Sequence, residues 1–404
     1  MRGEVCVLRC PDLDEEEIRR KAREAIEAVE SPENLQGKDG AVIKPNICND
    51  NDWTTGVTTC PFLIEEMVDF LRDNGVEDIT LAEGSLIGQD TMTNFQEVGL
   101  TDMAEGRGLD LIDLNRDEQV PLKVEDPHTF QEIEVARTVV EAEYLVNMPV
   151  MKTHVCTTVT LGMKNLKGVI SDKWKRKFHF NGLEGAIADL GSIVSPDLNL
   201  VDGLVGMQGQ GPLTGTRADA RVLVAAKDLL TTDATCCRIM GFDPWEVEHV
   251  SDLASTRDVD LKTFEPGLVG TPIQELGISY DPPADLLEEY YEGVEILWGD
   301  PCSGCSGVLC AALNRLEDSG HLARLREKGG ISIAVGKNVC PEEEENLILV
   351  GRCQYRNRDK GLFIPGCPPP GMLITDMLRG LLGEETQYDV EQLSEEAERT
   401  YGEE

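Results

Sequence analysis

Short apolar runs alternate with amphipathic stretches along most of this chain, and that alternation restricts it to a mainly parallel sheet with helices on both faces. Ala41–Lys44 reads as a strand, Pro61–Asn74 as a helix with proline at its start and Gly75 just past its end, and Ile79–Ala82 as the next strand. Further strands are expected at Tyr144–Met148, Leu198–Val201 and Arg221–Ala225, with Thr231 or Thr232 capping a helix that runs through Met240. Upstream, Asp12 and Glu15 form a capping box before a helix whose apolar positions are Leu13, Ile18, Ala22, Ile26 and Val29. The expected fold class is α/β, with a mainly parallel Rossmann-like sheet domain first. At 404 residues the chain exceeds one ordinary core. Around 252–292 it turns acidic, carries Pro266, Pro272, Pro282 and Pro283, and loses periodicity. The expected organisation is an α/β domain over 1–250, an acidic connecting segment over 251–293, a smaller α/β domain over 294–390 and an acidic tail over 391–404.

Cysteines dominate the second domain. Cys302 and Cys305 stand in Pro-Cys-Ser-Gly-Cys, Cys353 in Gly-Arg-Cys, and Cys367 in Pro-Gly-Cys-Pro-Pro-Pro-Gly. Each loop follows an apolar run, at Val294–Trp298, Leu347–Val350 and Leu362–Ile364. A parallel sheet would therefore bring all four thiols to one edge, as a thiolate-held metal or iron–sulfur cluster requires. Zinc suits four cysteines equally well, but zinc ribbons repeat a short pair, and Cys353 and Cys367 are far apart. A disulfide staple is disfavoured in a reducing interior. Proline after the last cysteine favours an iron–sulfur cluster. Cys340, also followed by proline, is an alternative ligand, whereas Cys310 among Val308, Leu309 and Leu313 reads as packed.

Charge excludes one class of partner. With 75 acidic against 37 basic residues the formal charge is −38, so the chain lacks the basic footprint that nucleic acid demands. Such a surface suits a salt-rich cytoplasm, where screening relieves repulsion. Met1–Pro11 lacks a cationic lead and apolar core, and no stretch approaches the roughly 18 apolar residues of a membrane helix. The expectation is a cytoplasmic chain without membrane insertion.

Against this background one segment reverses sign. Between Met151 and Phe180 stand Lys152, Lys164, Lys167, Lys173, Lys175, Arg176 and Lys177 with His154 and His179, against the single acid Asp172. Met-Lys-Thr-His follows a strand, which places Lys152 and His154 at the carboxyl edge of the sheet, where open α/β sheets bind ligands. Gly162 through Gly168 offers backbone amides beside Lys164 and Lys167, a setting for a phosphate or carboxylate. Lys175 reads as surface. Lys44 and Asn46 end another strand, Asp202 precedes a glycine-rich loop from Gly206 to Gly215 that includes Gly209 and Gly211, and Glu83 is a candidate acid or base. Ordinary turns and a solvated patch explain the same residues without a ligand.

Lys44-Pro45-Asn46, Met151-Lys152-Thr153-His154, Gly162–Gly168, His179, Asp202-Gly203 with the Met207–Gly215 loop, and Asp233 together resemble the family called domain of unknown function 362, over roughly 40–250. Members of that family are often labelled iron–sulfur centre proteins and carry closely repeated cysteines, a pattern this chain does not follow. Its cysteine segment resembles, more loosely, the cluster-bearing small subunit of respiratory complex I and nickel–iron hydrogenases. That resemblance implies a flavodoxin-like α/β unit ending in a Gly-Cys-Pro-Pro loop, and it supports Cys302, Cys353 and Cys367 more than Cys305. The first domain is also distantly similar to the N-terminal part of nickel-dependent lactate racemase.

The expected function is an iron–sulfur oxidoreductase acting on a small anionic ligand held by Lys44, Asn46, Lys152, Lys164 and Lys167, with His154 or His179 handling a proton. An electron carrier docked to a redox partner protein, a racemase- or isomerase-like metalloenzyme, and a zinc-stapled binding module are the alternatives.

Overall fold

The computed structural model describes residues 4–213, 215–283, 291–344, 346–388, 393 and 397–399. The chain divides into two compact units, 1–283 and 284–404. Most of the expected tail, 391–404, lies outside the described residues.

The first unit is built on a sheet of eleven strands among the described residues. Its main path runs Gly267–Gly270, Glu4–Arg9, Val222–Ala226, Leu198–Gln208, Leu145–Asn147, Gly40–Lys44, Asp78–Glu83 and Asp110–Asp113. Neighbours are parallel except where Val222–Ala226 meets Glu4–Arg9 and Leu198–Gln208. Both faces are covered. Along Val222–Ala226, Val222, Val224 and Ala226 enter one core while Leu223 and Ala225 enter the other. That double burial is why these strands read as unbroken apolar runs.

Caps and edges depart from the sequence expectations in ways with simple causes. The first helix, Glu15–Glu27, is capped by Asp14, whose side chain accepts from Glu17 N, and not by Asp12. Asp228 likewise caps Leu229–Met240 by accepting from Thr231 N, so the threonines lie inside the helix. Asp228, three residues before Thr231, is the better cap because aspartate outranks threonine at that position. The strand at Leu198 continues to Gln208, and Gly203 and Gly206 lie within it, against Val222 O and Met151 O. Residues 251–283, expected to connect domains, belong to the first unit. Glu248–Thr256 is a helix packed by Val250 and Leu253, and Gly267–Gly270 adds a strand beside Glu4–Arg9. Backbone pairing holds this stretch despite its acidity.

The second unit carries the parallel strands Val294–Gly299, Ile331–Gly336, Leu347–Val350 and Leu362–Ile364, hydrogen-bonded in chain order. Helices Ser303–Asp318, His321–Glu327 and Gly371–Gly380 accompany them. Because all four strands run the same way, the loops after them emerge at one end. The large mainly parallel sheet and the separate parallel sheet agree with the expected fold class.

Candidate functional site

Strand ends in the first unit converge on a buried polar system. Lys44, fully buried at the end of its strand, pairs with Glu83 at the end of the next, Nζ to Oε1 at 2.8 Å. Glu83 also accepts from Gly84 N at 2.8 Å and Ile47 N at 3.0 Å. With both oxygens occupied, Glu83 is a brace, and Lys44 is held away from any ligand. These two side chains leave the site roles expected for them. Gly168 explains its own identity here: a Cβ would lie 2.0 Å from Glu83 Oε1 and 2.7 Å from Lys44 Nζ.

Asparagines link this brace to the lysine motif. Lys152, on the strand Val150–His154, donates to Asn46 Oδ1 at 2.5 Å and Val57 O at 2.9 Å. Asn46 donates to Asn165 at 2.9 Å, Asn165 to Asn147 at 2.8 Å, and Asn147 to Asn199 at 2.9 Å. Each amide therefore accepts from one side and donates to the other, and the buried row is satisfied along its length. The sequence analysis does not single out Asn147, Asn165 or Asn199; the signal for Asn147 and Asn199 is an asparagine inside an apolar strand, whereas Asn165 ends the short helix Gly162–Asn165. Cys48 lies at the rim, 3.9 Å from Lys152 Nζ.

Beyond the asparagines is a group of cations. Lys164 is buried and donates to Thr157 Oγ1 at 2.8 Å; Lys167 is half-buried with Nζ 2.8 Å from His179 Nε2. Among the described residues no carboxylate lies within 4.0 Å of either ammonium. Burial, then the charge of Lys167, pushes Lys164 well below the ordinary lysine range. Burial and the charge of Lys175 bring Lys167 down to about 7. His154 is held well below the usual histidine value by burial and by Lys164, Lys167, His179 and Lys152. It is therefore neutral, and since Nδ1 accepts from Cys156 N at 3.0 Å, its proton is assigned to Nε2. His179 is depressed in the same way, by burial and then Lys167 and Lys164. Neutral imidazoles beside crowded lysines make a site that gains when an anion enters.

Other expected binding groups serve the fold. The amides of Gly162 and Met163, expected to face an anion, donate to Asp233 at 2.7 and 2.9 Å. Asp202 accepts from Cys60 N at 2.8 Å and Leu204 N at 3.0 Å. Burial raises both carboxyls to about 6. Gly209 O accepts from Thr153 Oγ1 at 2.8 Å, and a Cβ on Gly211 would lie 2.1 Å from Thr153 O, so the close approach that Gly211 allows is to the chain's own strand. Lys175, expected at the surface, is buried and donates to Gly84 O, Ser85 O and Asn115 Oδ1 at 2.6–2.7 Å.

In the second unit the cysteine loops leave the carboxyl ends of Val294–Gly299, Leu347–Val350 and Leu362–Ile364. Cys302 occupies the N-cap of the helix Ser303–Asp318. A hydrogen bond from Cys305 and the amides of Cys305 and Gly304 lower its thiol to about 6. The same bond, burial and the nearby Cys302, Cys367 and Cys353 raise Cys305. Cys305 thus feels the other three thiols, and Cys353 feels Cys302. Gly351 permits the approach, because a Cβ there would stand 3.1 Å from Cys305 Sγ. Among the described residues, no three cysteine, histidine or acidic side chains already stand in a metal-binding arrangement. Cys340 is engaged elsewhere, 3.1 Å from Lys360 Nζ and 3.4 Å from Asn357 Oδ1. Cys310 is packed in its helix.

Residues 41–238, which contain the lysine site, match the family model described as Domain of unknown function (DUF362). This part of the chain, just under half of it, is similar to the DUF362 family. A curated relative, thylakoid-associated protein sll1697 of Synechocystis sp., is 27% identical over 125 residues, 30% of this chain and 39% of that protein. The chain thus spans about two fifths of that relative's length. Among solved structures, the lactate racemase apoprotein from Thermoanaerobacterium thermosaccharolyticum aligns at 16% identity and a TM-score of 0.38, covering 59% of this chain and 57% of that one. A score that low carries no argument about chemistry. Among the described residues no helix is long and apolar enough to cross a membrane.

Proposed function

We propose that the chain is an iron–sulfur oxidoreductase in which the DUF362 unit binds a small carboxylate or phosphate and the second unit holds a 4Fe-4S cluster. The observation that supports the reading is that the segments bearing Cys302, Cys305, Cys353 and Cys367 follow the carboxyl ends of parallel strands in one sheet. The donor set fits: four thiolates are what iron–sulfur clusters take, and Cys302 is already drawn toward the thiolate form. The bound cluster would supply one-electron chemistry, exchanged with a redox partner protein.

In the DUF362 unit, the anion would sit against Lys164 and Lys167, with the His154 Nε2–H as a neutral donor. Lys152 and the asparagine row fix that wall of the site and do not reach the ligand. His179, with Nε2 beside Lys167, is placed to pass a proton.

Protein purified without oxygen should be brown and contain iron and acid-labile sulfide. Cys302→Ser, Cys353→Ser and Cys367→Ser should each lose iron, whereas Cys310→Ser and Cys340→Ser should keep it. Colourless protein carrying zinc would replace the redox reading with a zinc-stapled unit.

A further inference from the structure

Lys167 differs from the other lysines of its cluster. Lys44 is tied to Glu83, Lys152 to Asn46 and Val57 O, Lys164 to Thr157, and Lys175 to the carbonyls of Gly84 and Ser85. Each of these is at least nine-tenths buried. Lys167 alone among them is half-buried, and the partner of its Nζ is an imidazole nitrogen and not an oxygen acceptor. It lies three residues after Lys164, in the turn Leu166–Val169 that follows the short helix Gly162–Asn165, so both amines lie on adjacent turns. Amines desolvated beside other cations act as nucleophiles toward carbonyl carbon.

We propose that Lys167 forms an imine with a small 2-oxo acid, whose carboxylate is held by Lys164 and the His154 Nε2–H. This deepens the anion-site reading above and rests on it. The neutral amine adds to the carbonyl carbon, forming the C–N bond, and His179 Nε2, 2.8 Å from Nζ, relays the first proton shed by the attacking nitrogen to the carbonyl oxygen. The same ring nitrogen then takes the second proton of that nitrogen and delivers it to the departing hydroxyl. The carbinolamine then loses water as C=N forms. Amine and carbonyl give imine and water, and no electrons are exchanged. Lys167, brought to about 7 by burial and Lys175, has free base available near neutral pH.

The test is reductive trapping on the full chain. Pyruvate or 2-oxoglutarate with borohydride should add the mass of one oxo acid less one oxygen, and peptide mapping should place it on Lys167. Lys167→Arg should abolish the adduct, and Lys173→Arg, at an exposed position, should retain it. Lys164→Gln should lower trapping at limiting oxo acid by about tenfold, the loss of one charge-assisted bond. Oxalate, an anion without a reactive carbonyl, separates the two readings by its effect on the melting temperature. If oxalate and pyruvate both stabilise the protein but no adduct maps to Lys167, the imine is wrong and the anion site stands. If neither stabilises and no adduct forms, both fall. Mapping on the parent protein decides the point even if a variant fails to fold.

Discussion

Replacing Glu83 by glutamine tests whether that residue is a structural brace. Lys44 is 0% and Glu83 2% exposed, and among the described residues the only acceptor of Lys44 Nζ beyond the carboxylate at 2.8 Å is Pro45 O at 3.0 Å. In Glu83→Gln the fold must either bury an uncompensated ammonium or keep it neutral. Removing one partner of a buried pair costs about 3–5 kcal/mol. Neutralisation sets a ceiling that depends on pH, about 1.4 kcal/mol for each unit below about 10.4, hence about 4 kcal/mol at pH 7.5 and about 2 kcal/mol at pH 9. The sign follows from proton counts. The unfolded variant binds a proton that the folded one has given up, so the variant regains stability as pH rises. Lys175 shares part of this slope, because the charge of Glu83 raises it and that of Lys44 lowers it. Urea denaturation of parent, Glu83→Gln and Lys44→Met/Glu83→Gln at both pH values is the assay. The single variant should lose most at pH 7.5, and the double variant should show the smaller slope left by Lys175. A loss below about 1 kcal/mol at pH 7.5 would refute the brace and return Glu83 to candidacy as an acid or base.

The remaining predictions concern anions, salt and packing. Sulfate or phosphate should raise the melting temperature beyond chloride at matched ionic strength, and Lys164→Met should remove that difference while exposed Lys173→Ala should not. Because Lys167 titrates near about 7 and an anion favours its charged form, the sulfate increment should be larger at pH 6 than at pH 8.5; an increment that grows with pH opposes the site. With a formal charge of −38, potassium chloride between 0.1 and 1 M should also raise the melting temperature as the Debye length falls from about 10 to about 3 Å, and a flat or falling curve removes the salt-adaptation idea. Gly168→Ala should unfold the site, since its Cβ would occupy the space of Glu83 Oε1, and a neutral effect would show that the Lys44–Glu83 geometry yields easily.

The parts of the site legible in the sequence were those that follow from strand direction. An apolar run followed by Lys-Pro-Asn, or by a cysteine loop, can be placed at a carboxyl edge from its order alone, because parallel strands present their ends together. Which edge groups face a ligand was not legible, since it depends on long-range partners. Lys44 and Lys164 look alike in sequence, yet Glu83 lies 39 residues from the first and neutralises it, while the second donates to the hydroxyl of Thr157. Gly162 and Met163 looked like an anion cradle until Asp233, 71 residues from Gly162, took their amides. Lys175 looked exposed because its neighbours Lys173 and Arg176 are, but helical periodicity turns it inward onto the carbonyls of Gly84 and Ser85. Glu83 is spent on Lys44, whereas among the described residues Lys164 and Lys167 have no carboxylate within ion-pair distance. In a protein with two acids for each base, a pair of lysines clear of carboxylates runs against the composition, and an anion supplied from outside is the counter-charge that the proposed site would accept.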